Sequence, residues 1–292
     1  MDKNAVVLAL PSVLDMSFRH YFGDVVRFYT NLIGLLSKYH QCVLMCDGKT
    51  AQYYHEVGLP KTVRYDVSFP PTHCLDAFPI SCQNGLIKFH YQPQTLPIND
   101  SKRTHDFVKR WLLLNKVPTT NCNTILDRHS ILISPCKNVC IITEQVYYDN
   151  AEMLSSQTYN TLKLALGVKQ LIVMPLCDRT TIRPISSICN FISASAIMLN
   201  QFPTIYYKRV LNALIEVLPD GCKVVDGPFN KSVAESKTNF IMTNKVCVVP
   251  SLTRKNDETI KVICDNCQVN VETIDAEVLT KSGTALNSLV WN

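Results

Sequence analysis

Acids, imidazoles and thiols crowd together at a few places in this chain. His73-Cys74-Leu75-Asp76 sets an imidazole, a thiol and a carboxylate side by side. Those are the groups a cysteine nucleophile uses when a base and an orienting acid stand next to it. Neighbours along an extended strand point to opposite faces, however, so adjacency in sequence does not by itself build that trio. Asp127 is a further carboxylate. A carboxylate there could grip a bound cation; the plainer reading is that it caps a turn or pairs with Arg128 or Arg183. Cys264-Asp265-Asn266-Cys267 has the spacing of half a zinc site or of a redox dithiol. A zinc site needs a second ligand pair, and a dithiol site needs a strand before it and a helix after it. Here the pair falls between a helical and an extended stretch, which favours two unrelated thiols. Ser288 lies in the polar tail Lys281-Ser282-Gly283-Thr284-Ala285-Leu286-Asn287-Ser288. Phosphate-binding glycine loops and the Gly-x-Ser-x-Gly elbow are absent.

Composition bounds what these residues can belong to. The 292 residues are 47% hydrophobic and 18% charged, with mean hydropathy near zero, which describes a folded globular chain. The net charge of +5 is mild, without a dense Lys/Arg run, so nucleic acid is disfavoured as a partner. Thirteen cysteines are scattered, many of them through apolar runs, as at Cys42, Cys46, Cys140, Cys189 and Cys247. There a thiol serves as a small buried hydrophobe. No apolar stretch reaches the roughly 18 residues of a membrane span, and Met1-Asp2-Lys3-Asn4 leads straight into a strand-like run. Free thiols then imply a reducing compartment, cytoplasm or nucleus, and a protein that is not secreted.

Positioning elements follow from hydrophobic period. The C-terminal stretch is the clearest: apolar runs at 240–243 and 246–249 flank Asn244-Lys245, a short helix follows around Ile260, Val262 and Ile263, and 269–274 is extended. The same strand–strand–helix–strand order recurs upstream. Strands are expected at 130–134 and 139–143, a helix at 155–166 with Ser155-Ser156 as its capping region and Gly167 at its end, and a strand at 170–174. Strands at 188–193 and 196–200, a helix at 206–218 and a strand at 222–225 form another unit. Earlier, strands at 78–81 and 86–91 turn at Gln83-Asn84-Gly85, with a helix over 105–114. Strands at 6–10, 41–46 and 63–69 and a helix over 21–39 make a first unit without an evident hairpin. Segments 95–102 and 227–238 read as long surface loops. About five units result, near 1–60, 61–125, 126–176, 177–230 and 231–292, in one α/β domain.

The wording of two units resembles the agmatine deiminase and peptidylarginine deiminase family, of the guanidino-group-modifying pentein superfamily. Asn239-Phe240, Val248-Val249-Pro250 and Ile274-Asp275-Ala276 match that family's last repeat, and Leu126-Asp127 with 130–144 matches its third. The resemblance implies an α/β fold: a five-bladed pseudosymmetric α/β propeller of ββαβ units with a central active site. It also implies roles by position. Asp127 stands where the family's guanidinium-binding glutamate stands, and Arg128 and His129 replace the two glycines after it. Asp76 keeps the substrate-binding aspartate, and His73 replaces an aromatic residue. Asp178 opens the segment that should carry the general-base histidine and a second aspartate; Arg183 falls near the base position. Ser288 takes the place of the nucleophilic cysteine.

The chemistry therefore looks dismantled. Attack on a guanidinium carbon needs a thiolate or a serine with an adjacent base; no cysteine follows Cys267 and no histidine follows His129. The expectation is a non-catalytic binding or structural protein with no cofactor or metal and with a protein partner. Arg183 is expected to pair with Asp76 or Asp127 as an internal plug. An active, divergent deiminase on agmatine, arginine or peptidyl-arginine is the rival reading, which would make a guanidino small molecule the ligand. A nucleic-acid-associated or viral-type assembly protein is the third. Self-association stays open.

Overall fold

The computed structural model describes residues 5–14, 20–60, 63–67, 74–176, 184–202, 204–219, 221–229, 236, 238–251, 257–282 and 284–292. They form five small sheets. In the first, β1 (Ala5–Ala9) and β2 (Gln41–Cys46) run parallel, joined by α1 (Phe22–Leu36), and α2 (Gly48–Glu56) leads to β3 (Arg64–Val67). The second holds β4 (Ile80–Cys82), β5 (Gly85–His90), α3 (Ile98–Leu114) and β6 (Thr120–Ile125). The third holds β7 (Ile131–Ile133), β8 (Val139–Thr143), α4 (Gln145–Asp149), α5 (Ser155–Leu166) and β9 (Gln170–Met174). The fourth holds β10 (Cys189–Ser193), β11 (Ala196–Gln201), α6 (Thr204–Ile215) and β12 (Lys223–Phe229). The fifth holds β13 (Ile241–Met242), β14 (Val246–Ser251), α7 (Asp257–Asn266) and β15 (Asn270–Asp275). After α8 (Glu277–Ser282), the last strand, β16 (Val290–Trp291), pairs antiparallel with β1. It supplies the hairpin partner that the first unit lacks in its own sequence.

Side-chain alternation in the middle strands closes the ring. A strand buried on both faces sends odd and even residues into different cores. In β1, Val6 and Leu8 pack with Val246 and Val248 of β14, while Ala5 and Val7 pack with Cys74, Leu75 and Trp111 of the second blade. In β8, Cys140 and Ile142 meet Ile87 and Phe89 of β5, and Val139 and Ile141 meet Phe191 and Leu199 of the fourth blade. In β11, Ala196 and Met198 meet Cys247 and Val249 of β14. Each core thus lies between successive blades, and the last closes onto the first, so the fold is the expected five-bladed α/β propeller of the pentein type. Long helices sit outside the junctions, with Leu162 and Leu166 of α5 or Val210 and Leu214 of α6 turned inward. The described cysteines are unpaired, and Cys42, Cys46, Cys140, Cys189 and Cys247 are buried in these cores.

Several boundaries differ from the pattern reading. Residues 95–102 are not a loop: α3 begins at Ile98, just after Pro97, a residue that suits a helix start. Its first turns bury the polar Ser101 and Thr104 and expose Ile98, which hid the apolar period. The segment from 227 continues β12 to Phe229. β3 pairs with β2, so the first blade runs past residue 60. The cap of α5 is Leu154, not Ser155 or Ser156; its backbone N–H donates to Gln157 Oε1 at 3.2 Å. Gly167 ends that helix in the left-handed conformation, φ 67°. Asn84, in the turn between β4 and β5, donates its side-chain amide to the carbonyls of Leu164 and Ala165 at 3.0 and 3.1 Å, tying the second blade to the third.

Candidate functional site

The site is built around one turn, residues 127–130, which follows β6. Its backbone is tied in several directions. The Arg128 N–H donates to Asp76 O at 3.1 Å, and the Ile185 N–H of the fourth blade donates to His129 O at 2.7 Å. Asp127 caps the turn itself, accepting the Ser130 N–H on Oδ1 at 2.9 Å. The Arg128 side chain crosses to the C-terminal strand and donates from Nη2 to Val290 O at 3.1 Å. Asp76 comes from the 3₁₀ turn Cys74–Ala77 ahead of β4. Two blades and the tail thus meet at this turn, near the ends of parallel strands where α/β sheets tend to place their sites.

His129 pairs with one of the carboxylates and feels the other. Its Nε2 stands 3.0 Å from Asp76 Oδ1, with the aspartate side chain 8% exposed and the histidine 33%. Burial pulls the imidazole towards neutrality, but the charge and hydrogen bond of Asp76, with Asp127 behind it, hold its pKa up at about 9. His129 is therefore an imidazolium at neutral pH. Burial pushes the Asp127 carboxyl upward, and like charge on Asp76 adds to this, against the pull of His129 and the Ser130 bonds. Burial lowers Arg128 to about 10, and Asp76 holds it against a further fall. Its Nη1 is closed off from water and has no hydrogen-bond partner. Burial also drives Tyr91 far up, with Asp76 and Asp127 contributing.

Of the residues singled out from the sequence, Asp76 and Asp127 do come together. His73, Asp178 and Arg183 lie outside the described residues, so the expected Arg183 plug lies there too; the cation found on Asp76 is His129. Ser288 lies on the 3₁₀ turn Leu286–Leu289, just before the strand that receives Arg128. Its hydroxyl turns back to donate to Ala285 O at 2.6 Å. Asn239 helps fix that tail, accepting the Asn287 N–H on Oδ1 at 3.2 Å. Cys74 is fully buried and its thiol is pushed up to about 12, chiefly by burial, so it is no thiolate. Cys264 ends α7 and is exposed, and among the described residues no His/Cys/Asp/Glu group has the geometry of a metal site. Nor is any helix among them long and apolar enough to cross a membrane. The residues missed as site members are Arg128 and His129. The available signal was two long cationic side chains at positions where the resemblance implies glycine.

The sequence model of Porphyromonas-type peptidyl-arginine deiminase matches residues 1–290. The chain belongs to that family. No curated protein matches it by sequence. Among solved structures, this deiminase-family chain is similar to the C. jejuni agmatine deiminase, with a TM-score of 0.82 at 16% identity over 99% of this chain and 92% of that one. It is also similar to the agmatine deiminase of Enterococcus faecalis, with a TM-score of 0.76 at 12% identity over 99% and 92%. A dimethylarginine dimethylaminohydrolase aligns over 98% of both chains at 10% identity, TM-score 0.55. At these identities the likeness is one of fold. A deiminase fold with two carboxylates at its centre, and an imidazolium of its own between them, is the arrangement to be explained.

Proposed function

We propose that this family member is a non-catalytic binding or structural protein, whose guanidinium pocket is occupied by its own side chain. The observation that carries the reading is the His129–Asp76 pair at 3.0 Å, with Asp127 beside it. By the family resemblance those two carboxylates would hold a substrate guanidinium. An imidazolium already bonded to one of them competes for the same charge in the same space. A ligand would have to displace it and leave a cation unpaired in a half-buried site, which is costly.

The attacking end supports the same reading. A serine hydroxyl needs a base within hydrogen-bond reach. Ser288 instead donates to a backbone carbonyl. The histidine at the centre is held protonated by Asp76, so it cannot accept a proton near neutral pH. Asp127 has the raised carboxyl but is engaged with the Ser130 N–H. With catalysis gone, the ring of blades remains as a rigid scaffold, and its partner is proposed to be another protein.

The test is turnover with agmatine, free arginine and a peptidyl-arginine substrate, read as ureido product, alongside calorimetric titration with agmatine. Neither product nor binding is expected from the unaltered chain. The Arg128→Gly/His129→Gly double variant is expected to bind agmatine weakly and still not turn it over. Turnover by the unaltered chain that disappears in Ser288→Ala would overturn the proposal.

A further inference from the structure

Walled by residues of β4, β7, β10, β13 and β16, and reached by Arg128 from the turn after β6, lies a cavity of about 490 Å³. Small-molecule sites span roughly 300–1,000 Å³ and combine apolar walls with a few convergent polar groups. This cavity has that make-up. Phe191, Phe240 and Trp291 are among its apolar walls, and Arg128, Lys137 and His40 bring cationic or ionisable groups to it. Among the described residues, no Asp or Glu lines it. Lys137 sits at the turn between β7 and β8 in a left-handed conformation, φ 58°, and its Nζ donates to Ser81 Oγ at 2.9 Å. That leaves it further protons to give.

Arg128 is the decisive residue. It is reached from the carboxylate site but also lines this cavity. Only its Nη2 is bonded, to Val290 O, while Nη1 has no partner. A buried guanidinium with an unused donor is expensive unless an anion answers it. The nearby Asp76 is already bonded to His129. Burial lowers the pKa of Arg128 to about 10 against the pull of Asp76, so it stays cationic at neutral pH.

We propose that this cavity is a binding site for a small organic anion, whose carboxylate or phosphate meets Arg128 and Lys137 and whose apolar body lies against Phe191, Phe240 and Trp291. A shift of the Arg128 side chain, with its guanidinium kept planar, would bring the unused Nη1 donor to the anion. The cavity shares Arg128 with the carboxylate site but uses neither Ser288 nor the carboxylates.

Benzoate and phenyl phosphate are the probes, with benzamide and benzamidine as neutral and cationic counterparts of similar shape. Binding to the full chain is measured by calorimetry, and by the indole N–H resonance of Trp291, identified by its loss in Trp291→Phe. That N–H donates to Pro79 O at 2.8 Å and so reports on the cavity wall. At least one anion is expected to bind saturably and shift that resonance, with benzamide and benzamidine much weaker. Affinity is expected to fall at least about tenfold in Arg128→Gln, as for loss of a charge-assisted bond. It is expected to fall about threefold to fivefold in Lys137→Gln, a half-exposed position that keeps the protein testable if the Arg128 variant does not fold. The proposal is overturned if neither anion binds, if benzamidine binds as well as benzoate, or if the variants that fold bind the anion like the unaltered chain. Agmatine turnover has no bearing on these readouts.

Discussion

Replacing His129 by glutamine keeps a polar side chain of similar length between the carboxylates but removes the charge. The imidazolium has its pKa raised from the ordinary 6.5 to about 9 in the folded protein. A raised pKa means that the folded state holds the proton more tightly than the unfolded one. The contribution is therefore fully present below pH 6.5 and is lost as pH rises through 9. Two and a half pH units at about 1.4 kcal/mol each would set a ceiling of about 3 kcal/mol. The side chain is 33% exposed, so solvent screening reduces the usable part to about 1–2 kcal/mol. The measurement is urea unfolding of both proteins at pH 6, 7.5, 9 and 10. The stability advantage of the unaltered chain over His129→Gln is expected to shrink by about 1–2 kcal/mol from pH 6 to pH 10. Other titrating groups are common to both proteins and cancel in this difference, barring coupling to the altered site. A difference that does not change with pH, or that grows, would show that His129 is neutral between the carboxylates and that the self-occupied pocket is misread.

Two further changes probe the blades that carry the site. Lys88 is 3% exposed on β5, donates to Phe89 O at 2.6 Å, and has its pKa lowered to about 8, first by burial and then by Lys109. The sign is opposite to that of His129: stability should rise by up to about 3 kcal/mol as pH climbs from 8 to 10.5, and Lys88→Met should abolish the rise in the same urea series. A β-carbon added at Gly167 would stand 2.4 Å from Asn84 Oδ1 with φ at +67°, so Gly167→Ala should cost about 1–2 kcal/mol. That penalty should shrink in an Asn84→Ala background, and an equal penalty there would mean that only the backbone conformation is at stake.

The ring was legible in the sequence because its middle strands are buried on both faces. Runs such as Val139-Cys140-Ile141-Ile142 must send alternate residues into two cores, and a strand–strand–helix–strand order repeated along the chain leaves few ways to do so. The closing strand was not legible: Val290–Trp291 is two residues long and pairs with β1 across the whole chain, so no local period marks it. The start of α3 was hidden because the residues its first turns bury, Ser101 and Thr104, are polar, while Ile98 is exposed. At the site, Asp76 and Asp127 were reached through the family resemblance. The partner of Asp76 was not, because His129 meets it through the fold rather than through spacing, and the arginine expected there, Arg183, lies outside the described residues.

Two carboxylates facing one small space cannot both stay charged without a cation. An enzyme that binds guanidinium can leave that demand open, letting water and then substrate answer it. Here the chain answers it itself, and this constrains what else the centre can do. His129 is protonated because Asp76 and Asp127 are there, so it cannot also serve as a base. Arg128, on the same turn, bonds Val290 O and lines the cavity, leaving a donor unused. On the proposed reading, the imidazolium that fills the pocket is also unable to act as a base there. Among the described residues of this centre, the guanidinium of Arg128 keeps a donor without a partner, and none of them brings an acid to the cavity it lines. The proposed ligand of that cavity is accordingly an anion, opposite in sign to the guanidinium that the family resemblance implies for the carboxylates.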